Sequence, residues 1–148
     1  MKQEIYLRPA TFDDAEVLLE WRNDPLTRKN SRNSRVILQT EHIAWMKNRS
    51  SSTHLFIAEI NGKPIGCVRA DKTSLETELS WTVAPQARGQ GFGKAIVLQF
   101  VKEIIPNDIL FAIIEEGNVS SENIAIALGL QKIKPETTQK GRHFMIWR

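Results

Sequence analysis

Between His54 and Pro106 the apolar residues of this chain change period, from two to 3.6, and the change falls on one stretch, ARGQGFGKA, Ala87 to Ala95. Before it, HLFIAEI and KPIGCVRA read as two strands joined by Asn61-Gly62, a strong hairpin signal. LETELSWTVAP then alternates, with Leu75, Leu79, Trp81 and Val83 on one face and Glu76, Glu78, Ser80 and Thr82 on the other. After the stretch, Phe92, Ile96, Val97, Phe100, Val101, Ile104 and Ile105 recur at helical spacing until Pro106. A meander that feeds an amphipathic helix through a glycine-rich turn calls for a mixed sheet with helices on both faces.

The flanks extend this pattern. Ile5 to Arg8 reads as a first strand ended by Pro9, and Thr11 as the cap of a helix over DDAEVLLEWRN, with acids where the helix dipole favours them. Pro25 interrupts that helix. Leu26 to Arg35 is polar, and Thr40 is placed to cap a second helix, EHIAWMKNR. Beyond Pro106, ILFAIIE reads as a buried strand. Asn118 or Ser120 caps a last helix that ends at Gly129, and Gln131–Lys134 and His143–Trp147 complete the sheet. The element order is β-α-α-β-β-β-α-β-α-β-β.

A length of 148 residues suits one domain, 1–148, with one core. With 41% hydrophobic and 25% charged residues the composition is globular, not disordered. A net charge of +3 is too small to imply nucleic acid and only weakly favours an anionic ligand. Cys67 is the single cysteine, so no internal disulfide can form, which suits a cytoplasmic location. No run approaches the roughly 18 apolar residues of a membrane span, and MKQEIYLRPA has no apolar core of a leader. His42, His54 and His143 share no metal-ligand spacing, so no metal is expected, and Cys67 reads as strand packing.

Glycines at Gly89, Gly91 and Gly93, with Arg88 before and Lys94 after, are suited to wrapping backbone N–H groups around a phosphate. Two well-known loops fail. A nucleotide-triphosphate loop G-x-x-x-x-G-K-[ST] would need glycine where Arg88 stands and a hydroxyl where Ala95 stands. A dinucleotide fingerprint G-x-G-x-x-G would need glycine at Lys94, and it belongs after the first strand of a βαβ unit.

Arg88-Gly89-Gln90-Gly91-Phe92-Gly93 fits [QR]-x-x-G-x-[GA] at a helix start. In this it resembles the acetyl-CoA loop of the GNAT N-acetyltransferases. ELSWTVAPQARGQGFGKA resembles that superfamily's strand, loop and helix from end to end, and NVSSENIAIALGL is similar to its N-x-x-S…L-G-F segment through Asn118, Ser121, Leu128 and Gly129. The resemblance implies an α/β (α+β mixed sheet) GNAT fold: a mostly antiparallel twisted sheet of about seven strands with about four helices on both faces. It implies an acetyl-CoA-dependent acyltransferase that moves acetyl directly to a primary amine. Arg88, Gly89, Gln90, Gly91, Phe92, Gly93 and Lys94 would hold the pyrophosphate. The backbone of Trp81, Thr82 and Val83 would pair with the pantetheine arm, and Asn118 and Ser121 would flank it. A homodimer through strands is compatible with such a fold, although no residue here demands one.

Glu78 is the expected general base, on the polar face of the strand whose far end meets the cofactor, with Glu76 next and Glu59 behind. A solvated or salt-bridged glutamate is the competing reading. A backbone N–H near Thr82 or Val83 would stabilise the oxyanion. Many relatives carry a tyrosine acid seven residues after the asparagine, where this chain has Ala125, and its sole tyrosine is Tyr6. A thiol pKa of about 8.5 makes the thiolate a tolerable leaving group, and Ser121 or water could protonate it. On the acceptor side Trp21, Arg22, Asn23, Arg28 and Arg32 are the expected substrate contacts, within WRNDPLTRKNSRNSR. With Lys29 and Arg35 they suit a small anionic acceptor. WRND and EHIAWMKN loosely resemble the nucleotide amino-sugar N-acetyltransferases, which points to a nucleotide-linked amino sugar. The alternatives are the ribosomal-protein N-terminal acetyltransferase branch and a CoA-binding module without turnover.

Overall fold

The Asn61-Gly62 turn forms as its dipeptide demands: φ is +51° and +77°, the paired positive values that match the twist of the flanking strands. It belongs to a computed structural model that describes residues 4–49, 51, 53–139 and 141–148. The N-terminal stretch MKQEIYLRPA therefore begins outside the described residues. The turn joins β2 (Thr53–Ile60) to β3 (Lys63–Lys72), and β3 returns as β4 (Thr77–Val83). With β1 (Tyr6–Pro9), β5 (Leu110–Glu115), β6 (Lys132–Gln139) and β7 (Arg142–Trp147) they make one seven-stranded sheet, ordered β1-β2-β3-β4-β5-β7-β6. Every neighbouring pair is antiparallel except β4 and β5.

The described residues form five α-helices, one more than expected: α1 (Ala15–Asn23), α2 (Pro25–Lys29), α3 (Gln39–Lys47), α4 (Phe92–Ile104) and α5 (Val119–Ala127). Pro25 does end α1, but it also opens α2. Asp24 caps α2 by accepting from the Leu26 and Thr27 N–H groups, and proline at the first helical position loses no hydrogen bond. The α3 start differs too. It begins at Gln39, with Glu41 accepting from the Leu38 N–H at 3.0 Å, and Thr40 lies inside the helix. Leu75 is 80% exposed in the turn before β4. Thr77 takes the first inward position instead, its hydroxyl donating to Asp108 at 2.8 Å.

The register sorts β4 onto two sides. Gly66, Val68 and Ala70 oppose Val83, Trp81 and Leu79, on the face covered by α4. A Cβ at Gly66 would lie 2.7 Å from the Thr82 carbonyl oxygen and 3.0 Å from Ile96, so only glycine lets strand and helix approach there. Cys67, Arg69 and Asp71 oppose Thr82, Ser80 and Glu78, on the other face. Buried side chains fall into two clusters. The larger joins β1–β4 with α1, α3, α4 and Ile124 of α5. The smaller comprises Ala112, Ile114, Ala125 and Trp147. Trp81 packs against both. Among the described residues no helix is long and apolar enough to cross a membrane.

Candidate active site

The parallel pairing of β4 with β5 stops almost at once. Only Thr77 faces Leu110 and Glu78 faces Phe111. From Leu79 to Val83, β4 keeps its ladder with β3 but has no strand on its other edge. Backbone groups so exposed are a template for an added strand or a strand-like ligand. The splay opens a cleft of about 1060 Å³.

At the far end of β4 the chain turns through Ala84–Gly91 into α4. Gly91 caps the helix at φ +79°, and Gly89 has φ +77°. Both sites are spatially open, so glycine is required there for its backbone conformation. The first intrahelical bond runs from the Ala95 N–H to Gly91. The N–H groups of Phe92, Gly93 and Lys94 are thus the unsatisfied donors of the first turn, with the positive helix dipole behind them. A Cβ on Gly93 would lie 3.2 Å from both Val83 and Ile124, so this glycine lets α4 close against β4 and α5.

Most residues expected at the cofactor meet here: Trp81, Thr82, Val83, Arg88, Gly89, Gly91, Phe92, Gly93, Lys94, Asn118 and Ser121 all line the cleft. Gln90 lies outside it and lines a smaller hollow with Gln86 and Lys63. The Arg88 guanidinium turns away from the glycines and donates to Asp24 at 2.8 Å and to Thr27 at 3.0 Å. Its contribution to the loop is therefore backbone and bracing. Asn118 caps α5, its side chain accepting weakly from the Ser121 N–H at 3.5 Å. The Ser121 hydroxyl accepts from the Trp81 indole N–H at 3.2 Å, bridging the splay.

Glu78 lines the same cleft on the face turned to α1–α3. Burial pushes its pKa above the ordinary carboxylate value, against the opposing pull of Arg32 and Arg69. Arg32 donates to it at 3.2 Å and reaches Glu136 at 3.3 Å. Glu76 is instead paired with Arg148 and outside the cleft, and Glu59 is paired with Arg8. Cys67 also lines the cleft, but burial raises its thiol to about 12, so it stays protonated and unreactive. Ala125, at the position where the resemblance implies a tyrosine, is fully buried.

The acceptor residues divide. Trp21, Arg22 and Arg32 line the cleft, whereas Asn23 and Arg28 do not. Asn23 is a clip: its side chain donates to the Ile37 carbonyl at 2.9 Å and accepts from the Ile37 N–H at 2.7 Å, tying the 24–38 segment to α1. Sequence reasoning missed Arg69 and Ser80, which sit opposite each other on the cleft wall. The hairpin turn and strand alternation held that signal, since they imply that Cys67, Arg69 and Asp71 share the Glu78 face. His42 is buried, with Nε2 2.8 Å from the Ala15 carbonyl oxygen, a structural role. Among the described residues no three metal-ligating side chains cluster.

A profile of the acetyltransferase (GNAT) domain family matches residues 4–131. The chain belongs to the GNAT acetyltransferase family. It is thus an acetyl-CoA-dependent N-acetyltransferase. A search of curated proteins gave no match. Among solved structures the chain is similar to ribosomal-protein-alanine N-acetyltransferase from Brucella melitensis, at 23% identity, TM-score 0.79, covering 96% of this chain and 97% of that one. It is similar to yncA from Salmonella typhimurium, solved with its cofactor acetyl-CoA, at 22% identity, TM-score 0.76, covering 97% and 92%. A third is spermidine N-acetyltransferase from Vibrio cholerae with CoA and spermine, at 16% identity, TM-score 0.80, covering 97% and 92%. At these identities the likeness is one of GNAT fold.

Proposed function

We propose that this GNAT domain, spanning 1–148, acetylates the primary amine of a small anionic acceptor, with Glu78 as general base. The observation that carries the reading is the point at which the sheet splays. The β4–β5 ladder ends at Glu78, so one strand presents a half-buried carboxyl to the acceptor side and an unpaired backbone edge running toward the glycine turn. The unpaired edge and the free N–H groups at α4 fit the arm and pyrophosphate of acetyl-CoA. In the Salmonella and Vibrio structures that fold holds acetyl-CoA and CoA.

Bound acetyl-CoA supplies an activated acyl group, and the protein supplies position and proton handling. Glu78 takes a proton from the amine, directly or through one water. The amine nitrogen bonds to the acyl carbon as the carbon–sulfur bond breaks. A backbone N–H at Thr82 or Val83 stabilises the developing oxyanion. With no tyrosine lining the cleft, the Ser121 hydroxyl, whose oxygen accepts from Trp81, can pass a proton to the thiolate as it takes one from water.

The charge of the acceptor side supports an anionic substrate. Arg22, Arg32 and Arg69 line it, and polyamines such as spermine would meet like charge. The test is thiol release from acetyl-CoA against nucleotide-linked amino sugars, amino acids, polyamines and N-terminal peptides, with Glu78→Gln alongside. Turnover of anionic amines, reduced on the order of 10²–10⁴-fold in the variant, supports the proposal. Preferred turnover of polyamines or of neutral peptide N-termini would overturn the acceptor class. Acetyl-CoA binding without turnover on any amine would overturn the reaction.

A further inference from the structure

The arginines of the acceptor side are not equivalent. Arg35 is paired with Glu41 at 2.7 Å, through both Nη groups, and Arg32 with Glu78 and Glu136. These loop arginines are already matched by acids. Arg22 is not. Its Nη2 donates to the Asn33 carbonyl at 2.7 Å, but its buried Nη1 has no hydrogen-bond partner among the described residues. No acid acts on it. Burial first, then Arg35, Arg28 and Arg69, hold its pKa below the ordinary arginine value.

A second orphan lies on the same wall. The Ser80 hydroxyl oxygen is buried and lacks a partner among the described residues. Ser80 sits directly opposite Arg69 in the β3–β4 ladder, and both line the cleft with Arg22. Among the described residues Arg69 commits only its Nε, to Asp71 at 2.8 Å, while its guanidinium carbon lies 5.6 Å from the Trp45 ring centroid. A buried donor left unpaired is destabilising, more so when charged, so two of them beside a second guanidinium are best accounted for by a ligand oxyanion.

We propose that Arg22, Arg69 and Ser80 form an oxyanion pocket that reads the acid group of the acceptor, which is a short amino acid with its amine a few bonds from a carboxylate or phosphonate. This rests on the acetyltransferase reading of the same cleft. Register sets the length. Arg69 opposes Ser80, two residues from Glu78 on the same face, so their backbones are diagonal neighbours about 7–8 Å apart. An amine at Glu78 and an acid at Arg69 must belong to one compact molecule. A nucleotide diphosphate would draw on Arg32 and Arg35, and those are paired with acids.

The experiment compares glycine, β-alanine, 4-aminobutyrate and aminomethylphosphonate with the primary amides of the three carboxylic acids, by thiol release, in the parent protein, Arg22→Gln and Ser80→Ala. Ser80→Ala carries no loop contact and so serves where Arg22→Gln loosens the loop at Asn33. The expected result is a preference of at least tenfold in kcat/KM for acids over amides. Both variants should raise KM for the acids at least tenfold and shrink that preference, with KM for acetyl-CoA changed less than twofold. Amides that serve as well as acids, or a preference that survives both substitutions, would overturn the pocket and leave N-acetylation standing. If no amine is turned over, tryptophan fluorescence titration with the same acids decides. Saturable binding lost in Arg22→Gln keeps the pocket and sinks the reaction, and no binding sinks both.

Discussion

Glu78 is pulled two ways. Burial favours its neutral form, while the guanidinium of Arg32 at 3.2 Å favours the charged one, and burial prevails. A base must be deprotonated to act. The kcat/KM profile should therefore rise along an acid limb lying above the ordinary glutamate range, and Glu78→Gln should remove that limb. Arg32→Ala takes away a cation that favours ionisation, so the limb should move further toward higher pH. A limb that stays in place in Arg32→Ala, measured by rate against pH at saturating acetyl-CoA, would show that this ion pair does not reach the base. Ser121 gives a separate residue-level test. If chemistry limits the rate, Ser121→Ala should slow turnover, and an unchanged rate would clear it as the proton donor.

Among the elements, β3 and β4 depend on one missing methyl group. Gly66→Ala would put a Cβ 2.7 Å from the Thr82 carbonyl oxygen, a backbone atom that cannot step aside without moving the strand. Overpacking of this kind costs about 1–3 kcal/mol, so thermal melting should fall by several degrees. Thr82 borders the cleft, so KM for acetyl-CoA should rise as well. A variant that melts like the parent would mean the two strands have slack there. The turn into α1 depends on a different contact. Asp14, with its side chain 9% exposed, receives both Nη groups of Arg8 at 2.8 Å and the Thr11 N–H at 2.8 Å. The Arg8 hydrogen bonds hold its pKa below the ordinary value, against burial. A depressed carboxyl stabilises the fold above its unfolded pKa of about 3.9, and that stability fades as pH falls through the lower folded value. Asp14→Asn should cost about 3 kcal/mol near neutrality and flatten this acid dependence in denaturant titrations.

At the scale of the whole molecule, two clusters of buried side chains meet across the cleft through Trp81. A second tie runs from the glycine turn to the acceptor helices. Asp24 caps α2 and accepts from Arg88, so a single carboxylate braces α2 and the glycine turn against each other. Asp24→Ala should raise KM for acetyl-CoA although Asp24 does not line the cleft, and it should expose the 24–38 segment to limited proteolysis. Unchanged KM values with faster cleavage would confine the effect to α2.

The order of the strands and of every helix except α2, the Asn61-Gly62 hairpin, the Gly89–Gly93 turn and Asn118 as one of two candidate caps of α5 were legible in sequence, because each rests on contacts or dihedrals within a few residues. So was the face of Glu78, because strand alternation has a fixed period. What tertiary structure alone decided is who stands opposite whom. No local pattern says that Arg88 leaves the phosphate turn for Asp24 or that Asn23 is consumed as a clip. None says that Arg32 and Arg35 are paired with acids while Arg22 stays unmatched. Those outcomes depend on long-range pairings in the fold, and they determine which of the chain's basic residues remain available to a substrate.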